Sequence, residues 1–115
     1  MSGFYVVAWN NGHPRASGAG YGLKIAAGDR DVHMRRHCDR IELRLDGVEK
    51  SVFVNINKAS FWNTTCRELI SKDIGHWPIT NGLAPWLAGH PPRLLIEALG
   101  EGTFDVRLPR RAARV

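Results

Sequence analysis

The alternation of apolar and polar residues along the chain predicts several short β-strands. The segment "RIELRLD" places Ile41, Leu43 and Leu45 on one face and charged side chains on the other, as in a half-buried strand. The Asp46-Gly47 pair that follows is typical of a hairpin turn, and it leads into a second strand, "SVFVNIN". This pattern predicts an antiparallel hairpin in the middle of the chain.

Further strands are predicted on both sides of this hairpin. Near the start of the chain, apolar runs occur in "FYVVAW" and "GLKI", and near its end in "RLLIEAL" and "TFDVRL". The Gly100-Glu101-Gly102 sequence predicts a tight turn between the last two strands. Between the first two strands lies a segment dense in Gly, Asn, Pro and Ser, which predicts a loop or projecting arm.

Two short helices are predicted between the strands. Residues 26–37 have Asp29 in the first turn and basic residues in the last turn, the order that the helix dipole favours. A second helical segment occurs in "RELISKDIGHWPITNGL", but Pro78 limits it to a short or kinked helix. Gly82 suits the C-terminal cap of this helix.

The number and length of these elements predict a mainly β fold with two short helices. Many short strands favour a small closed barrel, because closure removes the exposed edges of a sheet. At 115 residues the chain is long enough for one domain with its own core. We therefore expect a single domain over residues 1–108, followed by a basic C-terminal tail over residues 109–115.

The charge of the chain is basic and unevenly distributed. The formal net charge is +5, yet the first acidic residue is Asp29, and a second stretch without acids covers residues 50–67. Clustered cations whose acids lie elsewhere favour a polyanionic partner such as nucleic acid. A modest basic excess is also a common means of keeping a protein in solution, so charge leaves both interpretations open.

Other features of the sequence predict an intracellular protein. The N-terminus has no cationic start before its short apolar run, so we expect neither a signal peptide nor secretion. No stretch approaches the roughly 20 apolar residues that span a membrane. Cys38 and Cys66 are too few for a disulfide framework. We expect a cytoplasmic protein in a bacterium, or a nuclear one in a eukaryote, without membrane contact.

The sequence predicts no catalytic residues, no metal ligands and no cofactor. His33 and His37 are one helical turn apart, but the segment "HMRRH" lacks the Glu of zinc proteases and places two cations between the histidines. The "GAGYG" segment is not followed by the Lys and Ser or Thr of a phosphate-binding loop. Any nuclease activity would therefore require another domain.

The segment "KASFWNTTCREL" combines features that neither a core strand nor an ordinary turn requires. It places Trp62 beside three small hydrogen-bonding side chains, and Lys58 and Arg67 flank the group. With this motif, the order of elements resembles the B3-type DNA-binding pseudobarrel from residue 4 to residue 108. That family includes plant transcription-factor domains and the recognition domains of some bacterial restriction endonucleases.

The resemblance implies an open β-barrel, or pseudobarrel, that grips the major groove of DNA with two arms. The arms would be residues 10–24, after the first strand, and residues 58–67, after the central hairpin. Two features depart from the family: Pro78 lies where a smooth helix is expected, and "LAPWLAGHPP" is bulkier than the usual turn. Both departures lie outside the arms.

The resemblance also implies which side chains contact DNA. Asn63 would pair with an adenine edge, Lys58 and Arg67 would hold the phosphate backbone, and Trp62 would brace its arm or pack on the sugar-phosphate. The full set of candidate DNA-binding residues is Asn10, Asn11, His13, Arg15, Ser17, Tyr21, Lys24, Lys58, Ser60, Trp62, Asn63, Thr64, Thr65 and Arg67.

Three functional hypotheses follow from these observations. The leading one is a non-enzymatic module that binds double-stranded DNA with some sequence preference. It would be free-standing or the recognition part of a restriction or regulatory protein, with a nuclease or regulatory domain or chain as a further partner. A second is a small barrel that binds RNA or single strands through Trp9, Tyr21 and Trp62. A third is a protein-interaction module whose basic charge is incidental.

Overall fold

The computed structural model describes residues 2–35, 38–63, 68–100 and 102–108. These ranges contain seven strands and three short helices. In chain order they are β1 (Ser2–Asn10), β2 (Tyr21–Lys24), α1 (Ala27–His33), β3 (Arg40–Leu45), β4 (Val52–Asn55), α2 (Ala59–Trp62), β5 (Glu68–Ile70), α3 (Lys72–Thr80), β6 (Arg93–Gly100) and β7 (Thr103–Arg107).

All seven strands belong to one sheet, in the order β4-β3-β7-β6-β1-β2-β5. Neighbouring strands are antiparallel except for β3 and β7, which are parallel. The sheet curls until its end strands, β4 and β5, approach each other without forming a ladder between their described residues. The result is a barrel with one unsealed seam, which confirms the prediction of a mainly β, open-barrel fold.

The core fills the inside of this barrel. On β1, β3, β4 and β7 buried and more exposed residues alternate, as the period of two requires. On β3, Ile41 and Leu43 are buried while Arg44 is exposed, which confirms the pattern predicted for this strand. The large rings of Phe61 and Trp77 fill space between the strands and the helices.

Several turns and caps form where the sequence predicts them. The turn after β3 has Gly47 at a φ of 83°, and Val48 N donates to Leu45 O at 2.9 Å. Gly82, with a φ of 73°, follows the end of α3 as predicted. Gly102 has a φ of 79° in the turn between β6 and β7, a backbone region that glycine tolerates at little cost.

The helices differ from the prediction in number and extent. α1 ends at His33 rather than at residue 37, because the backbone of Met34 is extended and its side chain is buried. Residues 36 and 37 lie outside the described ranges. A third helix, α2, forms within the segment predicted as the second arm, because Phe61 is buried and draws one turn of this segment onto the core.

The segment predicted to form a short or kinked helix after the second arm forms two elements. Its first part is strand β5, which pairs with β2, and only the second part is helical. Ser71 separates them, and its side-chain oxygen accepts a hydrogen bond from Ile74 N at 3.1 Å. Pro78 lies inside α3 near its end, where the loss of one backbone donor does not interrupt the helix.

The described helices are all too short and too polar to cross a lipid bilayer. The predicted basic tail, residues 109–115, lies outside the described part of the chain.

Candidate nucleic-acid interface

Of residues 10–24, predicted as the first arm, Asn10 belongs to β1 and residues 21–24 to β2, so that only the loop of residues 11–20 projects; the name first arm is used below for this loop. Its two sides are held together by backbone hydrogen bonds: Asn11 N donates to Gly20 O at 2.9 Å, and Arg15 N donates to Ala19 O at 2.8 Å. Residues 11–17 are all exposed, so the side chains of His13, Arg15 and Ser17 face solvent. The arm is therefore an ordered projection that presents the predicted candidates.

Two asparagines form the turn of the first arm. The side-chain oxygen of Asn10 accepts a hydrogen bond from Gly12 N at 2.9 Å, and that of Asn11 accepts one from His13 N at 2.8 Å. Asparagine commonly stabilises turns through such bonds to the backbone two residues ahead. The two oxygens thus have a structural role that the sequence analysis did not assign to them.

The first arm is also packed against helix α3. A Cβ atom at Gly18 would lie 2.5 Å from Lys72 O and 2.6 Å from His76 N. Gly18 has a φ of 100°, which side chains other than glycine rarely adopt. The close approach leaves no room for a side chain and holds the arm at one end of the barrel.

Two candidates on strand β2 have different environments. The side chain of Tyr21 is buried, with 4% exposure, and its ring packs against Trp86 at a centroid distance of 5.6 Å. Tyr21 therefore contributes to the core, and the prediction that it contacts a ligand does not fit its position. Lys24 is exposed at the other end of β2, where its Nζ lies 4.0 Å from Glu68 Oε2.

The second arm begins with Lys58 and helix α2. Lys58 and Asn63 are exposed, whereas Ser60 and Trp62 are half-buried. The indole Nε1 of Trp62 donates to Ile56 O at 2.9 Å, which agrees with its interpretation as a brace. The remaining candidates of this arm, Thr64, Thr65 and Arg67, lie outside the described residues.

Arg30 of α1 contacts the second arm and was missed by the sequence analysis. Its side chain is almost fully buried, with 6% exposure, and Nη1 donates to Phe61 O at 3.0 Å and to Asn63 O at 2.9 Å. Its Nε donates to Asp31 Oδ1 at 3.0 Å. No sequence signal distinguishes Arg30, because an arginine between two aspartates on a short helix is typical of an exposed surface.

The two arms lie at opposite ends of the ladder between β2 and β5. The first arm joins β2 at Tyr21, whereas the second arm joins β5 at Glu68, which pairs with Lys24 at the far end of β2. The distance along β2 from Tyr21 to Lys24 is about 10 Å, since a strand advances by roughly 3.3 Å per residue. Both arms therefore flank one short stretch of sheet.

The outer face of this stretch is a small apolar surface, which we call the floor. The strand register places Trp9, Gly22 and Ile70 side by side on it. A Cβ atom at Gly22 would lie 3.3 Å from Trp9 Cε3 and 3.2 Å from Ile70 Cγ1, so the indole covers the glycine. Ile70 is 41% exposed although it is a large apolar residue. The floor lies between Tyr21, where the first arm ends, and Lys24, at the end of β2 next to the second arm.

The segments that form the two arms contain no acidic residues of their own, although Asp31 accepts from Arg30 and Asp39 accepts from Asn57 beside the second arm. Residues 1–28 and 50–67 contain no Asp or Glu. Glu68, which follows the second arm directly, is 7% exposed and faces Lys24. The exposed charges that these segments contribute, those of Arg15 and Lys58 among them, are therefore positive.

No protein-family model matches this chain, and neither a curated protein nor a solved structure matches it significantly. The B3 resemblance stays a prediction that rests on the residues quoted above.

A cavity of 530 Å³ lies between the β3–β4 connection and helix α3. Its lining carries charges of both signs, from Asp46, Asp73 and Lys50. His76 also lines it, with Nδ1 3.3 Å from Thr80 Oγ1. Because the charges are mixed, this cavity lacks the uniformly cationic character that the arms offer to a polyanion.

Proposed function

We propose that this protein binds double-stranded DNA and that its two arms enter the major groove on either side of the floor. The observation that supports this most directly is the placement of two acid-free arms, both with exposed polar side chains, at the two ends of one short ladder. This arrangement agrees with the two-arm grip that the resemblance to B3-type domains implies.

The dimensions of the site suit a duplex. Strand β2, which separates the points where the two arms join the sheet, is about 10 Å long, and the major groove of B-DNA is about 12 Å wide. The first arm is fixed by its own hydrogen bonds and by its contact with α3, so little ordering is needed on binding. Arms that are held in place before contact lose less conformational entropy and bind more tightly.

The proposed roles of the arms differ. The first arm provides Arg15, a cation on a rigid loop, which suits a phosphate contact that fixes position without reading sequence. The second arm provides Asn63, whose amide carries a donor and an acceptor on one plane and matches the edge of adenine. Lys58, at the start of α2, is suited to a second phosphate contact.

The aromatic rings of Trp9, Tyr21 and Trp62 favour duplex DNA over single strands as the ligand, because they are wholly or partly covered. Binding of single strands needs exposed rings on which successive bases stack. Tyr21 is buried, the indole nitrogen of Trp62 is bonded to the backbone, and the Trp9 ring packs over Gly22. Of the three proposed stacking platforms, Tyr21 is therefore inaccessible, and Trp9 and Trp62 are each partly covered.

We further propose that the protein is a recognition module without catalytic activity of its own. It acts alone or as the recognition part of a restriction or regulatory protein, and cleavage, where it occurs, comes from another domain or chain. The pattern of exposed amide, hydroxyl and cationic side chains on the arms supports recognition rather than chemistry.

Selection of bound duplexes from a randomised pool tests this proposal. We expect an enriched sequence that binds about a hundredfold or more tighter than random duplex, since specific DNA-binding proteins commonly exceed that ratio. Competition with the corresponding single strands provides the second comparison. Tighter binding of single strands would support the small-barrel alternative, and affinity equal to that of a generic polycation would support the protein-interaction alternative.

A further inference from the structure

We infer that Arg30 is the positioning residue of the second arm, and that it sets the sequence preference of the protein without touching DNA. This inference rests on the proposed function, because it assigns Arg30 a role in the same site. It adds a residue that lies outside both arms and that no motif identifies.

The contacts of Arg30 converge on the end of helix α2. Nη1 donates to two backbone carbonyl oxygens of the arm, Phe61 O and Asn63 O, and the guanidinium carbon lies 5.4 Å from the centre of the Trp62 ring. Asp31 accepts from Nε and so fixes the plane of the guanidinium. Arg30 thus holds the backbone of Asn63, the residue proposed to read a base.

Helix α2 needs such external support. It consists of one turn, and isolated helices of this length are unstable in water. In the described part of the chain, no side chain caps its start at Lys58. The last carbonyl groups of a helix lack partners within it, and Arg30 provides one for Phe61 O by a charge-assisted hydrogen bond. Together with the burial of Phe61, Arg30 therefore holds the end of α2 and the backbone of Asn63 in position.

Arg30 also connects the second arm to the first. Strand β2 and helix α1 form one nearly continuous segment, in which Arg30 N donates to Ala26 O at 3.0 Å. The first arm joins this segment at its start, and Arg30 projects from its end. A single segment consequently carries the first arm at its start and contacts the second arm at its end through Arg30.

The substitution Arg30→Lys tests this role while retaining the charge. An ammonium cannot reproduce the planar fork that bonds two carbonyl oxygens and Asp31 together. Arg44 on β3, which is exposed and pairs with Glu42, provides the matched control Arg44→Lys on another part of the sheet. Both variants are compared with the wild-type protein by hydrogen exchange without DNA, and by affinity for the selected duplex and for random duplex.

We expect Arg30→Lys to increase the hydrogen-exchange rates of the Phe61 and Asn63 amides by about tenfold. This factor corresponds to the free energy of one charge-assisted hydrogen bond. The Ile96 amide in β6 should exchange as in the wild-type protein. The ratio of selected to random affinity should fall by a similar factor, whereas random affinity should stay within twofold. Arg44→Lys should change neither quantity.

Each other outcome has a definite meaning. Unchanged exchange at Phe61 and Asn63 would overturn the inference, whatever DNA binding shows. Faster exchange with an unchanged affinity ratio would also overturn it and leave Arg30 a purely structural residue. If the wild-type protein has no duplex preference, the proposed function fails, and exchange alone then decides whether Arg30 positions the arm. Arg30→Met should increase the same exchange rates further, provided that its far-ultraviolet circular dichroism matches the wild type.

Discussion

Gly18 of the first arm and Gly75 of helix α3 are in direct backbone contact. A Cβ atom on Gly75 would overlap the carbonyl oxygen of Gly18 and lie 2.9 Å from Tyr21 Cβ. The contact joins the first arm to a helix that follows it by more than fifty residues in sequence. The orientation of the arm thus depends on the packing of α3, and a single added methyl group should disturb it.

Substitution of Gly75 by alanine should therefore destabilise the protein, although alanine is the better helix former. In an open helix position, Gly→Ala gains up to about 1 kcal/mol of unfolding free energy. At Gly75 we expect instead a loss of about 1–3 kcal/mol, the usual cost of overpacking. Gly28 in α1 is the matched control, because a Cβ atom added there would have no neighbour within 4 Å. Thermal melting of both variants makes the comparison, and a stabilised Gly75→Ala would contradict the described contact.

Removal of the arginine in the first arm should weaken binding to every duplex alike. Arg15→Ala should lower the affinity for selected and random duplexes by similar factors and reduce the slope of log affinity against log salt by about 1. Arg44→Ala removes the same charge from β3 and should leave the slope unchanged. Titrations at several salt concentrations measure both variants. A change in the preferred sequence would make Arg15 a base-reading residue instead.

The asparagine at the end of α2 should carry sequence information. Asn63→Ala should lower the affinity for the selected duplex by about 1–3 kcal/mol more than the affinity for random duplex. Lys58→Ala in the same arm should lower both affinities by similar factors, since phosphates are alike in every sequence. Because Asn63 is exposed, its loss should move the melting temperature by only a few degrees. A lower melting temperature with an unchanged affinity ratio would assign Asn63 to the turn alone.

Two phenylalanines should differ strongly in their contribution to stability. Phe61 is fully buried in the core, and Phe61→Ala should cost about 3–5 kcal/mol of unfolding free energy. Phe53 is 52% exposed on β4, where Arg40 packs over its ring at 4.4 Å, and Phe53→Ala should cost less than about 1.5 kcal/mol. Denaturation by urea measures both values. Equal costs would mean that α2 is not anchored to the core as described.

Local pattern was sufficient to predict much of the fold. The alternation in β3, the Asp46-Gly47 turn and the Gly82 cap each depend on residues that are close in sequence, and all three formed as expected. The two acid-free stretches were likewise visible by counting, and both arms lie within them. These features follow from side-chain period and backbone preference, which are properties of short segments.

The sequence by itself thus determined six of the seven strands, their turns and the acid-free segments, whereas the tertiary structure decided how these parts meet. Strand β5 has only three residues and forms because it pairs with β2. Helix α1 ends where the side chain of Met34 enters the core. The burial of Arg30 depends on a partner more than thirty residues away. Such contacts have no local signature, because the free energy of burial and of strand pairing depends on which distant residues the closed sheet brings together.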